Sequence, residues 1–440
     1  MMVDLLEEQD PEIFKSKETT FIDLYTKSGL YLTEIAKRLF RGLETQIPDE
    51  AERMRWILEN QVYGCAPSNI IYNMVRNYVY VGYPQVSGEN LLELDLTEVA
   101  KEGVLELVLQ ERMGKEVKFD VIIGNPPYQL SDGGQAASAT PLYNLFVDEA
   151  KNLQPQYLSM IIPARWYAGG KGLATFRKDM LSDPHISFLV DYSNSSDLFP
   201  DVNIAGGVCY FLWENDYRGD CRVINANKKG QYSSVKRSLT EYEIFVRSNT
   251  SVEIIRKIKR LDTVFLSDLV KSYSYFAVRS FERGNPVKTY ESDVVLLSSN
   301  GKGFYDREKV TDRDGILGMY KVIMTYAMSG GNKPTSDGNY QIVSSLQVLL
   351  PNEVCTETYL VLGSFSDFVT ASNLCTYIST KFCRFLLLQA LTSIHITKDS
   401  FQFVPVQDLY KPWTDQELYK KYGFNSEEIE FVESMIRPME

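Results

Sequence analysis

The sequence predicts an α/β protein built on a doubly wound parallel sheet, and three observations carry that prediction. Short apolar runs alternate with stretches of helical periodicity over the first two hundred residues. The run Phe119-Asp120-Val121-Ile122-Ile123-Gly124 is apolar almost throughout, as befits a strand buried on both faces. Beyond about Glu214 the chain turns polar, basic and Ser/Gly-rich, so a second domain of mixed α+β character is expected.

In chain order, Thr20 to Leu24 reads as the first strand. The turn Tyr25-Thr26-Lys27-Ser28-Gly29 follows, then helical periodicity from Leu30 to Leu43. Gln61 to Cys65 is a second strand, followed by a helix from about Ser68 to Val79. Asn90 to Leu94 is a weaker third strand, ended by Asp95. After the strand at Phe119 to Gly124, Leu142 to Leu153 is helical, Tyr157 to Ile162 a strand and Gly172 to Leu181 helical. Ile186 to Tyr192 and Gly207 to Trp213 close the unit. The segments Asn225 to Lys236, Ser298 to Lys309 and Ser329 to Asn339 read as separators. Further helix is expected over Asn373 to Leu391 and Thr414 to Met435. The domain boundary is placed between about Asn215 and Lys236, giving domains 1–215 and 216–440.

Composition narrows the function classes. With 440 residues, 44% hydrophobic and 24% charged, the chain can bury a large core. It has no run of about 18 apolar residues and no basic-then-apolar leader, so neither a membrane span nor a secretory signal is expected. Six cysteines without a CxxC pair and only two histidines argue against a disulfide scaffold and a histidine-rich metal site, and no metal is expected. A reducing, cytoplasmic home fits this usage. The net charge of −12 conceals an asymmetry: Arg222 to Thr325 holds 19 Lys/Arg against 12 Asp/Glu, a local +7 that leaves −19 elsewhere. A basic face, rather than a basic protein, is what phosphate binding needs.

At the end of the clearest strand stands Asn125-Pro126-Pro127-Tyr128. Open α/β sheets bind ligands just beyond the carboxyl ends of their strands. The tetrad suits methyl transfer to a planar, conjugated amino group, whose lone pair is delocalised and weakly nucleophilic. The Asn125 side-chain oxygen and the Pro126 carbonyl can each accept one N–H of that group, drawing the nitrogen towards tetrahedral. Pro126 and Pro127 stiffen the turn and offer no competing N–H. Tyr128 supplies a flat face on which a base can stack. Such chemistry depends on positioning and electrostatics.

The run from Phe119 to Tyr128 resembles the catalytic motif of the gamma, TaqI-like class of N6-adenine DNA methyltransferases from restriction–modification systems. Some RNA and protein-glutamine methyltransferases share the tetrad. Asp23 to Gly29, opening onto the Leu30 helix, is similar to the family's cofactor motif. The resemblance implies a Rossmann-like domain binding S-adenosyl-L-methionine through Asp23, Thr26, Lys27, Ser28 and Gly29, with Asp95 at the adenine end of the cofactor. Leu198-Phe199-Pro200 resembles the later motif whose aromatic, here Phe199, packs on a flipped adenine opposite Tyr128. Pro141 to Phe146 and Ile161 to Trp166 are also similar to restriction-system methylases, and Thr376 to Asp408 more faintly to the end of their specificity regions.

Three positions depart from that pattern. Lys27 stands where the family has glycine. Ala66 stands where an acid for the ribose hydroxyls is expected. Few residues precede Thr20, so the upstream cofactor motif would come from a missing N-terminal region, a partner, or a wall built differently. The resemblance implies double-stranded DNA as substrate and a restriction nuclease subunit as a further partner. Two classes of function stay open: a DNA adenine-N6 methyltransferase, and a non-catalytic DNA-recognition subunit that keeps the methylase fold.

The basic, aromatic-bearing segments are the expected DNA contacts: Lys271, Tyr273, Arg279 and Arg283, then Lys302 and Arg307. No GxxxxGK[ST] loop is present. Glu149-Ala150-Lys151 mimics a nuclease ExK but lies on an amphipathic helix, and is read as coincidence.

Overall fold

The computed structural model describes residues 1–114, 118–129, 140–169, 172–202, 204–228, 230, 232–327, 335, 338–343, 345–391 and 395–439. The chain divides into two compact units, Met1–Phe245 and Val246–Glu440.

The first unit holds a nine-stranded sheet in the order β3-β2-β1-β4-β5-β7-β6-β8-β9. Its strands are β1 (Phe21–Asp23), β2 (Val62–Ala66), β3 (Leu91–Glu93), β4 (Val121–Gly124), β5 (Tyr157–Pro163), β6 (Ile186–Tyr192), β7 (Val208–Glu214), β8 (Cys221–Ala226) and β9 (Tyr232–Arg237). Strands β1 to β5 pair in parallel, β7 runs antiparallel between β5 and β6, and β9 pairs antiparallel with β8. Because β1 leads outward to β2 and β3 while β4 lies on its other side, the winding direction reverses between β1 and β4. Ligands bind at such a switch point.

Alternation along the strands divides the core between two faces. Ile22, Ile122 and Leu158 point to one face, Phe21, Val121, Ile123 and Tyr157 to the other. The first is covered by α5 (Thr97–Glu102), α6 (Leu105–Met113), α7 (Tyr143–Asn152) and α8 (Ala174–Ser182) through Leu105, Phe146, Val147 and Met180. The second is covered by α1 (Met2–Gln9), α2 (Leu30–Gly42), α3 (Glu50–Asn60) and α4 (Asn69–Val79) through Leu6, Leu32, Ile35, Leu39, Ile57 and Val75. Side chains cap α3 and α4: Asp49 accepts the Glu52 N–H at 2.8 Å, and Ser68 that of Ile71 at 3.4 Å.

Asn225 to Lys236, expected as a separator, is instead the β8–β9 hairpin, so the first unit runs past 215 to Phe245. Its outward side chains are polar because this end of the sheet is half exposed, and polarity alone mimicked a linker.

The second unit opens with α9 (Asn249–Leu261) and contains two three-stranded sheets. One pairs β10 (Val294–Ser298) with β11 (Gly301–Tyr305) and β14 (Glu353–Cys355). The other pairs β12 (Tyr320–Thr325) with β13 (Leu346–Leu349) and β15 (Tyr359–Phe365). Ser298 to Tyr305 thus belongs to a hairpin and Arg307–Lys309 forms a short 3-10 turn after it, whereas most of Ser329 to Asn339 falls outside the described residues. Four helices close the unit, α10 (Phe368–Ser379), α11 (Lys381–Ala390), α12 (Asp415–Lys421) and α13 (Ser426–Met435). Not every base in the positively charged stretch faces solvent. Lys321 is fully buried, its Nζ donating to the carbonyls of Leu317 and Leu350 at 2.9 and 3.1 Å, and burial pulls its pKa down to about 8.

Candidate active site

The ends of β1 and β4 bring the two expected motifs together. The Thr20 N–H and hydroxyl both bond the Asp120 carboxylate, at 2.8 and 3.0 Å, fixing one strand against the other before they reach the site. One turn further, Asp23 is buried at the end of β1, with Oδ1 accepting the Tyr25 N–H at 3.0 Å. The Thr26 hydroxyl donates to the Asp23 carbonyl at 3.1 Å, and the Thr26 N–H to the Cys65 carbonyl at 2.8 Å, folding the turn across β2. Gly29 ends the turn at φ +76, a left-handed conformation that glycine adopts without strain, and starts α2 with no side-chain cap. The first-turn amides of α2 therefore keep their capacity to hold a carboxylate.

Burial raises the Asp23 carboxyl from 3.8 to about 7, against the opposing pull of the Tyr25 N–H, Lys27 and Thr26. Lys27 is itself pulled down by burial, with Asp23 opposing. Its ammonium lies 5.7 Å from the Tyr25 ring centre and 5.8 Å from that of Tyr128, so Lys27 spans the turn and the tetrad.

On the β4 side, an ideal Cβ on Gly124 would fall 2.7 Å from Asp23 Oδ1, so the tetrad is reached only because that residue is glycine. Gly124→Ala is expected to displace the Asp23 carboxyl and lower any activity that depends on this site at least about tenfold, at a stability cost of about 1–3 kcal/mol. Initial rates and thermal melts of the variant check this. Beyond Gly124, the Asn125 Oδ1 is buried and has no hydrogen-bond partner among the described residues, and the same holds for the Tyr128 hydroxyl. The Tyr128 carbonyl accepts the Leu142 N–H at 3.2 Å, and Gln129 bridges Pro141, joining the tetrad to the start of α7.

The remaining expected residues distribute as follows. Pro126 is buried and Pro127 half-buried within the tetrad; Ser28 is exposed in the turn. Asp95 accepts the Thr97 N–H at 2.9 Å, a local turn bond before α5, and its charge also acts on Tyr25, so it stands at the edge of the same region. Phe199 is half-buried with Leu198 against the face that holds Tyr192 and Tyr210. Ala66 is fully buried inside β2, while its partner across the parallel register is Glu93 on β3, an exposed acid bonded by Asn69 Nδ2 at 2.8 Å. An acid thus stands beside Ala66 on the neighbouring strand, a placement that register fixes and a linear sequence does not reveal. Tyr31, on the first turn of α2, was also missed: burial and then Asp23, Tyr128 and Tyr210 all raise its pKa, which places it among them. Glu34, by contrast, is engaged by Lys37 and Arg38, and Glu149 accepts the Leu105 N–H at 3.0 Å and Asn152 Nδ2 at 2.9 Å. The ExK resemblance is a structural bond.

The six expected DNA contacts all lie in the second unit. Lys271 pairs with Asp314 at 2.7 Å, Arg279 with Glu357 at 3.1 Å and Lys302 with Glu353 at 2.6 Å. Arg283 bonds the carbonyls of Ser280 and Glu282, Arg307 that of Val310, and the Tyr273 ring packs 4.5 Å from Tyr326.

Residues 60–199, from β2 through Phe199, match the family model described as Eco57I restriction-modification methylase. The matched segment is thus similar to a restriction–modification methylase domain, and it carries the Asn-Pro-Pro-Tyr tetrad at the switch point of the sheet. The chain is also a homologue of an adenine-specific methylase. It is 26% identical over 340 residues, 62% of this chain and 80% of the relative, to an uncharacterized adenine-specific methylase of Mycoplasma pneumoniae. Similar solved structures include a type I restriction–modification methyltransferase subunit from Streptococcus thermophilus, with 15% identity, TM-score 0.37 and coverage of 59% of this chain and 50% of that one. The type IIG restriction endonuclease BpuSI is 11% identical, with TM-score 0.42 and coverage of 96% and 60%. The chain spans about half the length of the type I subunit. Among the described residues, no helix is long and apolar enough to cross a membrane.

Proposed function

We propose that the first unit transfers a methyl group from S-adenosyl-L-methionine to the N6 amino group of an adenine taken out of duplex DNA, as a gamma-class enzyme does. The second unit then reads the surrounding sequence, and the chain serves as the modification part of a restriction–modification system. One observation carries the reading: a buried acceptor with no partner among the described residues, Asn125 Oδ1, at the carboxyl end of β4 beside the buried acid of β1. A buried acceptor without a donor costs about 1–3 kcal/mol, a cost that an incoming N–H removes.

The residues present suit the cofactor. A carboxyl held near neutrality by burial gains from a cationic ligand, and the uncapped start of α2 suits an anionic one; an amino acid sulfonium offers both. When bound, the cofactor supplies an electrophilic methyl group. Asn125 and the Pro126 carbonyl orient the amino nitrogen by taking its two N–H bonds, and Tyr128 gives the base a stacking face. Extracting a base costs a few kcal/mol, and stacking on an aromatic returns about 1–3 of it.

Glu93 is proposed as the acceptor for the ribose hydroxyls, in place of the acid expected at Ala66. Glu93→Gln is then expected to weaken cofactor binding by about ten- to a hundredfold while leaving the fold unchanged, as loss of a charge-assisted bond implies. Calorimetry on both proteins measures it.

Incubation of the full chain with methyl-labelled cofactor and, separately, duplex DNA, RNA or protein tests the whole reading. Label on adenine of duplex DNA supports it. Label confined to RNA or protein overturns the substrate, and duplex binding without label overturns the catalysis in favour of a recognition subunit.

A further inference from the structure

Among the expected DNA contacts, Arg279 is placed unlike the rest. Its guanidinium is 66% exposed and is held from one side by Glu357, itself 11% exposed. Glu357 is fixed in turn: its carboxylate accepts the Ser280 N–H at 3.1 Å, and its own N–H bonds the Val278 carbonyl at 2.8 Å. Next to this pair is a cluster of three rings, with Tyr326 tilted 4.5 Å from Tyr273 and stacked 4.8 Å from His395. Tyr273 and His395 are exposed, and the Tyr273 hydroxyl interacts with Glu357. The loop that carries Tyr273 to Arg279 contains two non-glycine residues in the left-handed region, Ser274 at φ 55 and Ala277 at φ 57. Such a conformation is maintained only where the surroundings enforce it.

Resting on the DNA reading above, we infer that Arg279, oriented by Glu357 and set beside the Tyr273–Tyr326–His395 ring cluster, is a base-reading residue that takes the edge of a guanine, rather than a phosphate contact. The argument is electrostatic. A phosphate approaching Arg279 also meets the carboxylate of Glu357, which its bonds to the Ser280 N–H and Arg279 keep ionised, so attraction and repulsion largely cancel. The N7 and O6 of guanine are uncharged acceptors and incur no such repulsion. They match the fork of an arginine, and a fixed fork loses little freedom on binding. Lys271 and Lys302 are also paired with acids, but an ammonium has no planar fork, and Arg283 and Arg307 bond carbonyls of their own turns.

Arg279→Lys in the full chain separates the two roles, because it keeps the charge and removes the fork. Binding to a randomised duplex library and to a fixed non-specific duplex would be measured across salt, with thermal melts as the control for folding. Arg279→Lys is expected to retain non-specific affinity and its salt slope. It should lose about five- to a hundredfold of discrimination at one base pair, at which the unaltered protein prefers guanine. Glu357→Gln, which keeps the shape but removes the opposing charge, is expected to reduce the same discrimination and to steepen the salt dependence by about one phosphate. Undiminished discrimination in Arg279→Lys, or an equal loss of affinity for all sequences, overturns the inference. If the unaltered protein binds no duplex at all, the DNA reading fails first and takes this one with it.

Discussion

Asn125→Ala is expected to lower the single-turnover rate of methyl transfer at least about a hundredfold while leaving the melting temperature unchanged or slightly higher. Removal of one preorganised polar contact to the reacting group costs about 10²–10³ in comparable sites. On the proposed reading the contact has a specific task. The amino group of adenine needs its lone pair turned towards the methyl donor, and with Asn125 gone only the Pro126 carbonyl can take one of its two N–H bonds. Stability should not suffer, because Asn125 Oδ1 is bonded to nothing among the described residues. Deleting a buried acceptor without a partner relieves about 1–3 kcal/mol rather than costing it. Single-turnover rates and thermal melts on the same preparation decide the matter. An active Asn125→Ala protein would move the methyl acceptor to another part of the molecule.

A second large effect is expected at Asp23, this one on the pH dependence of stability. Its carboxyl titrates at about 7 in the folded chain against 3.8 in the unfolded one, chiefly through burial. Between those values the folded chain holds a proton that the unfolded chain has lost, so stability falls as pH rises from about 4 to about 7. At about 1.4 kcal/mol per pH unit, the loss amounts to about 4 kcal/mol. Asp23→Asn retains an acceptor for the Tyr25 N–H and never ionises. It should therefore flatten the stability profile over this window and be the more stable protein at pH 8. Cofactor affinity should fall in the same variant, since a cationic ligand gains from the carboxylate and not from the amide. Thermal melts across pH, with and without cofactor, measure both. A variant that kept the same slope between pH 4 and 7 would place the responsible group elsewhere.

These two residues also show how far the sequence could be read. Asp23 and Asn125 were legible because each ends an apolar strand, and the fold places such ends together at the switch point whatever the rest of the sheet does. The strand of Ile186 to Tyr192 was equally clear, whereas the antiparallel direction of β7 was not: Val208 to Trp213 is a buried run whichever way it points. Polarity misled at Asn225 to Lys236, where a half-exposed hairpin has the composition of a linker. Glu93 was out of reach because its nearness to Ala66 is a matter of register between strands that are far apart in the chain. Lys321 counted as surface charge in the sequence, yet it spends that charge on two carbonyls inside the second unit.

The position of the strands has a consequence for motion. β1 and β4 are each paired on both sides, so the backbone beneath Asp23 and Asn125 belongs to the part of the first unit that opens only when the unit as a whole unfolds. β3, by contrast, is three residues long, paired with β2 alone and at the edge of the sheet, and it carries Glu93 just ahead of Asp95. Amide exchange should accordingly be slowest under the tetrad and fast along Leu91 to Asp95. On the proposed reading, Asn125 would thus stand on the slowly exchanging floor of the site and Glu93 on a rim that exchanges fast, so that cofactor release would require loosening of one short strand and not of the tetrad.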